Sequence, residues 1–202
     1  MNRTIAFFLS ILLCSIDVGF ASAEETGLAT GGGKVRVLRQ DMQKRTSGGV
    51  IDGCEITFTV AFEDFIYKKG GISFAQGGIA LWGASKGQPL ISLKVTTLDL
   101  IGNQTELTPL PYASVIVGSA LIKPVPEGIF ACDDGGFCSA NEFYSNAVSL
   151  LGIVSEPRLE LSLQRREGGA DVKVPFEIKA DVASSFGACA DEFIVSVETK
   201  LK

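Results

Sequence analysis

Histidine is absent from all 202 residues. That absence excludes a Ser-His-Asp triad, a Cys-His pair, histidine-ligated zinc and a histidine proton shuttle in one step. Tryptophan occurs once, at Trp82, and tyrosine three times, so a sugar cleft lined with stacked rings has little to be built from. The cysteines contain no close C-x-x-C pair of the kind structural zinc sites use, and no metal or cofactor is expected. Cations are also scarce: 18 Lys and Arg stand against 23 Asp and Glu, for a net charge of −5. Such a balance supplies no basic face for a phosphate backbone, so nucleic acid is not an expected partner. Long apolar runs are missing as well. The run Ile5–Cys14 is too short to span a bilayer, and Ala113–Ile122 is broken by Ser114, Gly118 and Ser119.

What is present begins with an export signal. Arg3 precedes the apolar run, and Ala21-Ser22-Ala23 places small residues just ahead of Glu24 and Glu25, where signal peptidase cuts. Residues 1–23 are therefore expected to be a signal peptide. Leu13 precedes Cys14 where a lipoprotein signal has a small residue, so Cys14 is assigned to the discarded segment. The mature chain should be periplasmic or extracellular, with no transmembrane segment.

Four cysteines remain after cleavage, an even number in an exported chain, and they read as two disulfides. Cys132 and Cys138 flank Asp133-Asp134-Gly135-Gly136-Phe137, a turn-rich loop able to bring them within bridging distance. Cys54 is then left for Cys189. That bridge would tie the first strong strand to the last and close a long loop.

Residues 24–33 end in Thr30-Gly31-Gly32-Gly33 and read as a flexible arm, leaving 34–202 as one domain. Lys34–Arg39 is a weak strand candidate, and Gln40–Gly49 reads as a loop. Cys54, Ile56, Phe58, Val60 and Phe62 alternate with polar or small residues, the period of a half-buried strand. Ile72–Trp82 should pair with it, with a bulge at Gly77-Gly78. Further strands are expected over Leu90–Ile101, over Ser114–Ile122, and in a hairpin joining Leu159–Leu163 to Val172–Ile178. Pro175 puts the second arm of that hairpin at an edge or a bulge. A final strand is expected over Glu192–Leu201. Ser139-Ala140-Asn141-Glu142 fits a helix capping box, predicting a short helix over Phe143–Leu151. The sum is mainly β: an antiparallel two-sheet β-sandwich with one short helix.

Four local patterns stand out. Gly83-Ala84-Ser85-Lys86-Gly87 matches a nucleophile elbow, but it lacks a histidine base, and Pro89 stands where the helix should start, so it reads as a polar loop. Asp133, Asp134 and Glu142 form the densest acidic cluster, and carboxylates alone can serve calcium or glycoside hydrolysis; their spacing matches no EF-hand loop. Asn103-Gln104-Thr105 is a formal glycosylation sequon. Phe130, Phe137, Phe143 and Tyr144 cluster around the small bridge, and rings on a constrained loop make good anchors. Asp133, Asp134, Phe137, Phe143 and Tyr144 are thus the expected contacts for a protein or envelope component. No catalytic residue is assigned. The expectation is an exported, non-enzymatic binding or envelope-structural protein, with a fimbrial-type assembly subunit and a carboxylate-dependent carbohydrate hydrolase as alternatives.

Overall fold

The structure is a computed structural model that describes residues 25–29, 33–83, 89–132, 135–142 and 150–200. For 25–29, 142 and 198–200 it describes the backbone alone. The export signal and the Gly-x-Ser-x-Gly serine lie outside the described residues.

Alternation of apolar and polar residues sets the strands. They are β1 (Glu25–Ala29), β2 (Gly33–Ser47), β3 (Val50–Asp64), β4 (Gly71–Gly83), β5 (Pro89–Ile101) and β6 (Gln104–Thr108), followed by β7 (Tyr112–Val117), β8 (Ala120–Ile122), β9 (Ile129–Ala131), β10 (Phe137–Glu142), β11 (Arg158–Gln164) and β12 (Asp171–Glu177). Helix α1 (Ala180–Lys200) follows. All pairings are antiparallel. The large sheet runs β1-β2-β3-β4-β5-β10-β9, with β6 also on β5; the small sheet runs β12-β11-β7-β8. The expected mainly-β, two-sheet architecture is therefore present.

Strand β3 shows how the layers meet. Its inward residues Cys54, Ile56, Phe58, Val60 and Phe62 are buried, as the alternation predicts. At its start Cys54 is bridged to Cys189 of α1, with a Cα separation of 6.0 Å. In its middle Phe58 meets Phe176 of β12, ring centroids 5.3 Å apart. At its end Asp64 reaches Arg165, just past β11. One strand thus touches the helix, the small sheet and the turn beyond it. Leu159, Leu161, Val172 and Val174 supply the facing layer, each worth about 1.5–3 kcal/mol when fully buried.

Several expectations are corrected. Glu192–Lys200 is the end of α1, not a strand: the short alternation Phe193-Val195-Val197 is outweighed by Val182, Phe186, Cys189 and Phe193, which share one buried helical face. This C-terminal helix spans 21 residues. Gln40–Ser47 belongs to β2, because Gly48 and Gly49, at φ 59° and 80°, close a two-residue hairpin turn into β3. No bulge occurs at Gly77-Gly78. Register continues through both, and glycine is needed because a Cβ at Gly77 would strike the Lys94 carbonyl oxygen. Ser114–Ile122 is divided between β7 and β8, which turn at Gly118. Ser139 caps no helix; it lies in β10 opposite Leu93. Of the helix expected to follow, 143–149 lie outside the described residues, while Leu150 and Leu151 are helical. Residues 25–29, within the stretch read as an arm, pair with β2. Pro175 stands in β12, an edge strand of its sheet, as its missing N–H requires.

Candidate functional site

Both expected disulfides are formed. Cys132 and Cys138 have Cα atoms 5.6 Å apart and join the end of β9 to β10. Of the expected contact residues, Asp133, Asp134, Phe143 and Tyr144 lie outside the described residues, as does the Glu142 side chain. Phe137 faces the core at 3% exposure, its ring 5.6 Å from that of Tyr112. Phe137 shares the parity of Val95, opposite it on β5, which points inward. Phe130, beside this bridge, is 53% exposed.

Two unforeseen features sit back to back at the end of the large sheet where β3 turns into β4. The first is a buried polar network on the inner face. Inward parity carries Asp64 at the end of β3, Ser73 near the start of β4 and Asp99 near the end of β5 into the core. Arg165, from the β11–β12 connection, inserts between them. Its Nη1 donates to Asp64 Oδ2 at 2.5 Å and to Ser73 Oγ at 3.1 Å, and its Nη2 donates to Asp99 Oδ1 at 2.5 Å. Ser73 Oγ and Thr108 Oγ1 donate to the two oxygens of Asp99, and Lys68 Nζ lies 2.6 Å from its Oδ2. Asp64 Oδ1 accepts the backbone N–H groups of Ile66 and Tyr67, which shapes the β3–β4 turn.

Two carboxylates and two cations balance. Burial alone would raise the Asp99 carboxyl, but the hydrogen bonds from Lys68, Arg165, Ser73 and Thr108 together hold it well below the usual carboxylate range. All four carboxylate oxygens are engaged, so the network is a staple between the sheets rather than a centre open to substrate. Tyr67 supports it: its hydroxyl donates to the Ala170 carbonyl, and the Arg166 guanidinium lies 5.4 Å from its ring centroid.

The second feature is the outer face of the same strands. Because Ser73 and Asp99 point inward, Ile72, Phe74, Leu98 and Leu100 point outward. Cross-strand register aligns Arg36, Ala61, Phe74, Leu98 and Leu107 in one row across β2, β3, β4, β5 and β6. Leu100 is 41% exposed and Leu107 51%; Leu38, the extra residue at the β2 bulge, is 50% exposed. Lys34, Arg36, Leu38, Ala61, Glu63 and Ile72 line a shallow groove of about 320 Å³ on the β2–β4 side of this face. The leucines of β5 and β6 lie on the same face, on the strands beyond β4.

No protein-family model, curated protein or solved structure matches the chain. Among the described residues no three His, Cys, Asp or Glu side chains are grouped to hold a metal ion, and no helix is long and apolar enough to cross a membrane. A second cleft, between β2 and the start of α1, is lined by Asp41, Met42, Lys179 and Ser185. Its Gln40 is already committed, donating to the Glu177 carbonyl and accepting from the Lys179 N–H.

The sequence carries a signal for both new features that motif reading passes over. Extending the inward parity of Ile91, Leu93 and Val95 by four residues puts Asp99 inside and Leu98 and Leu100 outside. No such rule pointed to Arg165, which approaches from a distant hairpin.

Proposed function

We propose that the protein is exported and acts by binding rather than by catalysis, with the outer face of the large sheet between β2 and β6 as its contact surface. One observation carries this reading. At this end of the sheet the carboxylates of Asp64 and Asp99 lie inside, while Ile72, Phe74, Leu98, Leu100 and Leu107 lie outside beside Lys34, Arg36 and Glu63. A half-exposed sheet ordinarily sends its apolar parity to the core, so an apolar outer row favours a covered state. The two disulfides agree with an oxidising compartment, and the Ala21-Ser22-Ala23 site supplies the route.

Placing a photoreactive amino acid at Leu107, and for comparison at Thr57 on the polar half of the same face, tests the reading in the producing cell. A cross-linked product from position 107 and none from position 57 is expected. Equal labelling at both, or none at 107, would reject this face as the contact surface.

A further inference from the structure

We infer that the partner of this face is a second copy of the chain, packed sheet on sheet about a two-fold axis that runs along the strands. The inference rests on the binding-face reading above and names its occupant.

The face carries both halves of a fit. Its β2–β4 side is a groove whose floor is the small side chain of Ala61, whereas its β5–β6 side presents Leu98, Leu100 and Leu107. A two-fold along the strands and centred on β4 lays β5 of one copy over β3 of the other, and β6 over β2. Leu98 then faces Ala61 of the second copy, Leu100 lies against the aliphatic stem of its Glu63, and Ile72 and Phe74 face their own equivalents. Leu107 lies along the aliphatic stem of Arg36, whose charged head stays at the rim. This is an isologous contact, in which large side chains meet a hollow and each patch serves as both donor and acceptor of shape. Aligned packing of two sheets is the ordinary way such faces cover each other.

The area sets the strength. Five strands and three outward-facing levels make a patch of about 24 Å by 20 Å, from strand spacing and rise. Two such patches bury on the order of 1,000 Å², at the lower bound for a specific interface. The dimer should therefore be reversible and concentration-dependent. The net charge of −5 on each copy makes it tighter as salt rises.

Sedimentation velocity on the purified, disulfide-bonded protein, from low to several hundred micromolar, reads this directly. The weight-average mass should climb towards twice that of one chain. Leu100→Glu, which meets Glu63 of the second copy, and Leu107→Arg, which meets its Arg36, should each hold it at one chain throughout, with unchanged circular dichroism and an unchanged melting temperature in dilute solution. A constant single-chain mass for the unmodified protein, or a dimer indifferent to both variants, would overturn the inference. The cross-link at position 107 separates the two levels of the claim. A product of twice the chain mass supports the second copy; a product of any other mass rejects it while leaving the binding face standing; no product rejects both.

Discussion

The two ends of the large sheet are built from the same strands but solve opposite problems. Near Cys54, Leu81 and Ile91, the inner face is apolar, and α1, pinned by the Cys54–Cys189 bridge, lies over β3 there. Near Asp64, Ser73 and Asp99, the inner face is charged, and Arg165 reaches across from the other sheet to neutralise it. The first end coheres through burial, which tolerates small rearrangements. The second depends on directional contacts in a low-dielectric site, which do not. The same unbroken parity that puts Ser73 and Asp99 inside turns Ile72, Leu98 and Leu100 outward. The exposed patch and the buried network are therefore two consequences of one choice of strand parity.

Removing the central cation breaks the charged end most completely. Arg165→Ala leaves Asp64 and Asp99 buried with a single remaining counter-charge, Lys68, and loss of one partner of a buried ion pair costs about 3–5 kcal/mol. Urea unfolding should show that loss. A change below about 1 kcal/mol would mean that water enters the network freely, and the contrast between the two ends would fail.

Acid tests the same end more gently. The Asp99 carboxyl is held low in the folded protein, and an unfolded aspartate titrates near about 3.9. Its contribution is thus fully present above that unfolded value and is lost as pH falls below it towards the folded one. Unfolding midpoints should stay level from neutral pH down to about pH 5 and fall beneath it. Asp99→Asn should be less stable at neutral pH and show a shallower acid decline. Equal acid slopes in the two proteins would remove Asp99 from the account.

Much of the fold was legible in short-range pattern. The alternation over Cys54–Phe62, the β11–β12 hairpin and both cysteine pairings all follow from period, turn chemistry and spacing. Where reading failed, a longer-range constraint decided. Three alternating residues near the C-terminus look like a strand until the helical face beginning at Val182 is counted with them. Gly77 looks like a bulge until the neighbouring strand is close enough to forbid a Cβ. Phe137 looks like a loop anchor until its register against Val95 turns it inward. The candidate face was hidden for a different reason. It has no motif, only a change in which parity carries the apolar residues, and it becomes visible once Asp99 is known to be inside.

The smallest expected effect sharpens the contrast most. Leu100 and Leu107 are as apolar as any core residue, yet their exposure in the single chain means that replacing them removes little packing. Leu100→Glu and Leu107→Arg should each shift unfolding free energy by no more than about 0.5 kcal/mol, measured dilute enough to keep chains apart. Paired with the large loss from Arg165→Ala on the opposite side of the same sheet, such neutrality would show that the inner side of this end holds the fold while its outer side is free for contact. A loss above about 2 kcal/mol would instead place these leucines in the core of the single chain and withdraw the face from binding.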